Sequence, residues 1–370
     1  MRAVSRRQSL AALPAAVVPL QGQQPSPYYE EQISASNHIR TQQVRELEAY
    51  IDLHKEDRRR LADLFNPDYS STQAFEESTR RLRAAFENSI GWPVPGTIPR
   101  EAPTYDRIGE DAVGVYYRVR LPVVDGVHSV GIYITPKKKA GRSPLIISMH
   151  GGGGSPEIAL FNGGGNYHDM VRGAVKRGYA VYAPTHLFKA EGYPPDIRLK
   201  IDDRLRAVGT SITAVETAKI TRAIDHLTKR PEVDGRRIGM VGLSYGGYYT
   251  LVAPALDRRI RVAVSSCYFG VQEYRYERDE LAVPTDFRFM DRMSLFRDDV
   301  LTALICPRAL EIQAGRTDAP THREKGVQLA PGAAAHYAKL NRSDKFRFLV
   351  FEGGHEFHDA SAWEWIAKHI

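Results

Sequence analysis

The chain has 370 residues, 42% apolar content and a formal net charge of +7, enough to bury a full α/β core and leave room for an extension. Basic and acidic residues are interspersed, with no basic block of the kind that binds nucleic acid. The two cysteines, Cys267 and Cys306, fall at opposite ends of adjacent candidate strands, about 17–20 Å apart; a disulfide needs Cα atoms within about 7 Å, so no bridge is expected.

At the N-terminus, Ser5-Arg6-Arg7-Gln8-Ser9-Leu10 precedes the apolar run Ala11–Val18. Paired arginines before a short, mildly hydrophobic stretch have the character of a twin-arginine export signal, which predicts a removed segment over 1–22 and a periplasmic or secreted destination. The run is too short to span a bilayer, and no clean Ala-x-Ala marks a cleavage point. Removal would take Arg2, Arg6 and Arg7 and no acid, lowering the charge from +7 to +4. A disordered tail is the alternative reading.

Residues 23–98 are polar and helix-prone, with apolar residues at helical spacing over Val44–Ile51 and Ala74–Phe86. They read as a helical extension, broken by Gly91-Trp92-Pro93-Val94-Pro95-Gly96. The catalytic domain then occupies 99–370. Strands are expected over 111–121 and 128–135, joined at Asp125-Gly126 as a hairpin, and near 144–150, 178–184, 236–243, 261–267, 307–314 and 346–351. The strongest helical pattern between them is Thr213–Lys229. Eight strands, antiparallel at the start and then alternating with helices, predict an α/β fold with a mostly parallel sheet flanked by helices.

The chemistry collects at strand ends. The strand Pro144–His150 runs into Gly151-Gly152-Gly153-Gly154, a loop whose backbone N–H groups can face a developing oxyanion because no side chain intervenes. It lacks the Gly-Lys-Ser/Thr of a phosphate-binding loop, and no G-x-G-x-x-G opens a helix after the first strand. Gly242-Leu243-Ser244-Tyr245-Gly246-Gly247 follows the apolar run Arg237–Val241 and precedes a helical stretch. A serine on such a turn is pushed out at the sheet edge, and small neighbours let the chain pass close. Asp318 follows the strand ending at Gly315, and His355 follows the strand ending at Phe351. A serine hydroxyl needs an imidazole to take its proton and a carboxylate to fix that imidazole's tautomer. Ser244, Asp318 and His355 supply this set in order. The N–H of Tyr245, with those of Gly151, Gly152 and Gly153, would form the oxyanion hole.

Two insertions leave the same edge. One follows the fourth strand and contains His186; the other follows Cys267 and contains Tyr268 and Phe269, with Glu273, Asp286 and Asp291 as carboxylates that could assist or replace Asp318. His186, Tyr268 and Phe269 are candidate substrate contacts, although such aromatics more often anchor a loop to the core. His150 and His168 read as loop-orienting groups. Neither H-E-x-x-H nor paired cysteines suggest zinc.

The His-Gly-Gly-Gly loop, Gly-Leu-Ser-Tyr-Gly-Gly and Gly-Gly-His-Glu-Phe together resemble the dienelactone hydrolase and acetyl xylan esterase-like branch of the α/β-hydrolases, over roughly 110–370. The resemblance implies that fold, a cofactor-free esterase mechanism without metal, and nucleophile, acid and base at Ser244, Asp318 and His355. Gly-x-Ser-Tyr-Gly-Gly-Tyr is also similar to the prolyl oligopeptidases, which usually carry a β-propeller where this chain has about 90 residues of helical character. Serine stands in the elbow where many dienelactone hydrolases have cysteine, which favours ester hydrolysis. The expectation is an exported serine carboxylesterase acting on a small-molecule or carbohydrate ester such as acetylated xylan. A small-peptide peptidase with the same triad is the alternative, and a non-catalytic protein of the same fold is a third. Oligomeric state is not legible.

Overall fold

The structure is a computed structural model that describes residues 28–29, 31–55, 58–138, 140–161, 165–278 and 285–370. The expected export signal over 1–22 lies outside the described residues. The chain divides into two compact units, Met1–Asp52 and Leu53–Ile370.

Helix α1 (Asn37–His54) has no buried residue and a weakly apolar face. Within the larger unit, α2 (Arg58–Leu64) and α3 (Thr72–Ser78) lead to α4 (Arg80–Ile90). The Ser71 hydroxyl caps α3 by accepting the Ala74 N–H at 3.0 Å. Leu82, Phe86 and Ile90, four residues apart on one face of α4, are fully buried. Gly91 ends that helix at φ 72°, a left-handed conformation that glycine adopts without strain.

The sheet has nine strands: β1 (Thr104–Glu110), β2 (Gly114–Val124), β3 (Val127–Pro136), β4 (Ser143–Met149), β5 (Ala180–Pro184), β6 (Val233–Leu243), β7 (Val262–Ser266), β8 (Ala309–Gly315) and β9 (Phe346–Phe351). Their order is β1-β2-β3-β5-β4-β6-β7-β8-β9. Pairings are antiparallel from β1 to β5 and parallel from there on. All eight expected strands are present. The ninth is β1, an edge strand with an almost wholly exposed face, so it shows no apolar alternation in sequence. Asp125 and Gly126 turn the β2–β3 hairpin at φ 40° and 81°, the positive values a two-residue primed turn requires.

Helices α5 (Pro156–Phe161), α6 (Met170–Lys176), α7 (Ile197–Ala207), α8 (Ile212–Leu227), α9 (Tyr245–Leu256), α10 (Val271–Glu277), α11 (Asp298–Ile305), α12 (Pro320–Lys339) and α13 (Asp359–His369) complete the order. Every residue of β4, β5, β7 and β8 is buried, as strands covered on both faces must be. Alternate residues of β4 feed two cores: Leu145, Ile147 and Met149 pack with α4, α8, α9, α11 and α12, and Ile146 with α6 and α13. Cys267, just past β7, and Cys306, just past α11, are both free and buried. No helix among the described residues is long and apolar enough to cross a membrane.

Phe86 packs edge-on against Phe289 and tilted against Phe296 at ring separations of 5.6 and 5.5 Å, so α4 supports the insertion after β7. Phe86→Ala should cost about 3–5 kcal/mol of stability, read as a lowered urea midpoint. A loss below about 1 kcal/mol would show that α4 is dispensable to the core.

Candidate active site

The turn between β6 and α9 places Ser244 at φ 57°, ψ −117°, outside the regions a side chain adopts freely. Its N–H donates to Ser266 O on β7 at 2.8 Å, and its carbonyl accepts the Tyr248 N–H at 3.0 Å. The glycines around it are required by contact. A Cβ at Gly242 would come 2.3 Å from Gly246 O, and one at Gly246 would come 2.2 Å from Met149 O. Ser244 is partly exposed.

Asp318 follows β8 and His355 follows β9, and the two meet: Asp318 Oδ2 lies 2.8 Å from His355 Nδ1. The carboxylate is buried and the imidazole about one-third exposed, with side-chain exposures of 3% and 31%. With the carboxylate ionised, Nδ1 carries the proton and Nε2 keeps its lone pair free. A second imidazole holds the same acid: Asp318 Oδ1 lies 3.1 Å from His322 Nδ1, and the two histidine rings are 4.3 Å apart. Asp318 Oδ1 also accepts the Ala319 N–H at 2.7 Å. Burial pushes the Asp318 carboxyl up, but hydrogen bonds from His322 and His355, and their charges, outweigh it and hold the group well below the usual carboxylate range. Sequence reading missed His322, whose only signal is its position four residues after Asp318 at the start of a helix.

The other carboxylates once in contention are occupied elsewhere. Glu273 pairs with Arg292 at 2.8 Å, Asp291 with Arg60 at 2.8 Å, and Asp286 with Arg198, whose Nε donates to Oδ1 at 2.9 Å. Asp286 also accepts from the hydroxyls of Tyr245 and Tyr249, while its carbonyl accepts from Tyr248 and Thr213. This insertion residue therefore braces the first two turns of α9, directly behind Ser244.

Ser244 opens onto a cavity of about 180 Å³ whose wall includes Tyr245, Cys267, Tyr268, Phe287, Arg275 and His322. The ligand-type atoms of Cys267, Asp318 and His355 lie within 4.8 Å of one another, so Cys267 joins the cavity to the Asp–His pair. Burial, followed by the Asp318 charge, pushes the Cys267 thiol up to about 12. At neutral pH it is a thiol, a weak ligand and no rival nucleophile.

The glycine loop lies against the elbow. A Cβ at Gly151 would meet Ser244 Cβ at 3.2 Å, and one at Gly152 would meet the Tyr245 ring at 3.2 Å. The Gly151 N–H donates to Tyr167 Oη at 2.8 Å, so it already has an acceptor. Gly153 adopts φ 74° with open space where a Cβ would sit. His150 braces this loop. Its Nε2 accepts the His186 N–H at 3.1 Å, which leaves Nδ1 to donate to Gly151 O at 2.9 Å. Burial and then the neighbouring His186 push His150 down to about 3, so it stays neutral. His168 bonds Glu356 at 2.6 Å, and Glu356 accepts the Gly354 N–H at 3.0 Å, tying the loop that carries His355.

Of the three candidate substrate contacts, only Tyr268 lies on the cavity wall. His186 is buried behind the site, stacked on Tyr249 at 4.9 Å with Nδ1 3.6 Å from Glu216. Phe269 is buried against Phe348. Both serve as supports, the commoner use of residues at the root of a long insertion.

Residues 131–290 match the model of the dienelactone hydrolase family, a span that contains the glycine loop and Ser244 but ends before Asp318 and His355. The Bacillus subtilis (strain 168) protein named "Putative hydrolase YtaP" is 24% identical over 242 residues, covering 60% of this chain and 76% of its own. Among solved structures, Methylesterase BT1017 superposes with a TM-score of 0.63 at 19% identity, over 86% of this chain and 68% of that one. Acetyl xylan esterase from Paenibacillus sp. R4 does so with a TM-score of 0.52 at 18% identity, over 85% and 99%.

Because the Asp318 carboxyl titrates lower in the folded chain than in the unfolded one, it adds stability that is fully present above about pH 4 and is lost as pH falls toward its folded value. The stability gap between wild type and Asp318→Asn, measured by urea unfolding, should be widest near neutrality and narrow below about pH 4. A gap independent of pH would contradict a carboxylate stabilised by the two imidazoles.

Proposed function

We propose, from the α/β-hydrolase fold and the dienelactone-hydrolase-like homology over 131–290, that the chain is a serine carboxylic-ester hydrolase with Ser244 as nucleophile, His355 as base and Asp318 as orienting acid. The observation that carries the reading is the 2.8 Å Asp318–His355 bond, beside the same Cys267 that lines the Ser244 cavity.

Ser244 Oγ attacks the ester carbonyl carbon as its proton passes to His355 Nε2. The carbonyl oxygen becomes an oxyanion facing the N–H of Tyr245 and those of Gly152 and Gly153, Gly151 being engaged by Tyr167. One such donor is typically worth about 10²–10³ in rate. Collapse breaks the bond to the alcohol, which leaves with the proton from His355. Water then attacks the acyl-serine and gives a proton to His355; collapse frees the acid as that proton returns from His355 to Ser244 Oγ. Asp318 stays ionised throughout.

A cavity of about 180 Å³ lies below the roughly 300–1,000 Å³ of most ligand pockets, which favours a small bound group. The names of the two structural relatives, a methylesterase and an acetyl xylan esterase, agree with a small acyl or alkyl group. We therefore read the substrate as a small ester carried on a carbohydrate. We also read 1–22 as an export signal, which the mature N-terminus of the periplasmic or secreted protein would test.

Ser244→Ala should lower turnover of p-nitrophenyl acetate and acetylated xylan by about 10⁴–10⁶, with longer-chain esters poor for both proteins. Retained activity in the variant would overturn the nucleophile. Cleavage of a chromogenic proline peptide in place of any ester would move the chain to the peptidase reading.

A further inference from the structure

The two fully buried arginines of the insertions have carboxylate partners: Arg198 is held by Asp286, and Arg292 by Glu273 and Asp298 at 2.8 and 2.6 Å. Arg275 on α10 differs. It lies on the wall of the Ser244 cavity, its Nε is buried, and that N–H has no acceptor. Among the described residues no carboxylate lines this cavity; its other walls include Tyr268, Val271 and Phe287.

A guanidinium cannot neutralise itself by losing a proton. The buried Nε–H of Arg275, left without an acceptor among the described residues, is a donor that an entering anion would satisfy. Apolar walls strengthen any charge pair formed beside them. The planar fork of an arginine matches a carboxylate through two parallel hydrogen bonds. A single guanidinium in so small a cavity suits that monoanion better than a phosphate dianion, which calls for more donors.

Resting on the serine-esterase reading, we propose that Arg275 is a specificity-determining residue that binds a carboxylate on the substrate. The ester turned over at Ser244 carries this group a few atoms from the scissile carbonyl, on either the acyl or the alcohol side. Neutral esters are hydrolysed without it and are the poorer substrates.

Two matched pairs separate the sides: monomethyl succinate against methyl butyrate for the acyl side, and 4-acetoxybenzoate against 4-acetoxybenzamide for the alcohol side. The readout is the ratio of kcat/KM for the charged member over the neutral one. In the wild type that ratio should exceed about tenfold in one pair, the range of a charge-assisted hydrogen bond. In Arg275→Gln it should fall to near one, and Arg275→Lys should restore part of it. A ratio at or below one in both pairs, or one that Arg275→Gln leaves unchanged, overturns the proposal. If the wild type hydrolyses none of the four, the esterase reading has failed. Titration calorimetry with succinate and 4-hydroxybenzoate then decides the site by itself. Binding weakened at least about tenfold by Arg275→Gln sustains the anion site, and equal or absent binding in both proteins overturns it.

Discussion

The site depends on one backbone constraint, the turn that holds Ser244 at φ 57° between β6 and α9. A residue in that conformation stores on the order of 1–3 kcal/mol of strain, and the surroundings must hold it there. They do so by proximity. Gly242 and Gly246 let β4, β6 and the first turn of α9 approach within distances that any Cβ would forbid. Adjacent β7 fixes the serine N–H. The same tight crossing brings Gly151 and Gly152 against Ser244 and Tyr245, so the position of the glycine loop and the strain at the serine share one cause.

Around that turn, the two insertions serve as scaffolding as much as substrate walls. Asp286, completely buried, joins Arg198 from the first insertion to the hydroxyls of Tyr245 and Tyr249 on α9. Removing one partner of such a buried pair leaves an uncompensated charge and typically costs about 3–5 kcal/mol. A carboxylate that sequence alone offers as a possible catalytic acid thus positions the helix behind the nucleophile. His186 and Phe269 have the same supporting character, whereas His322 and Arg275 bring polar groups to the cavity wall.

The parallel strands were legible because each contains a short, largely apolar run, wholly buried in β4, β5, β7 and β8 and only partly so in β9, and the glycine loop, Ser244, Asp318 and His355 because each follows such a run. Edge strand β1 was not, since its residues face solvent and carry no alternation. His322 escaped notice because a histidine four residues into a loop-to-helix junction looks like any surface histidine; its role appears only when the fold brings Asp318 beside both imidazoles. The engagement of the Gly151 N–H by Tyr167 had no local signature at all, being a contact between separate segments. What sequence pattern conveys well is which residues reach the sheet edge. Which partner each one finds there is set by the insertions, whose packing follows no period.

The most direct test of the central claim is covalent. The full chain is treated with a fluorophosphonate, digested, and the adduct located by mass spectrometry. The account predicts one modified site, at Ser244 Oγ, protected by a small ester and lost when His355 is replaced by alanine. An adduct on another residue, or none while ester hydrolysis proceeds, would contradict it.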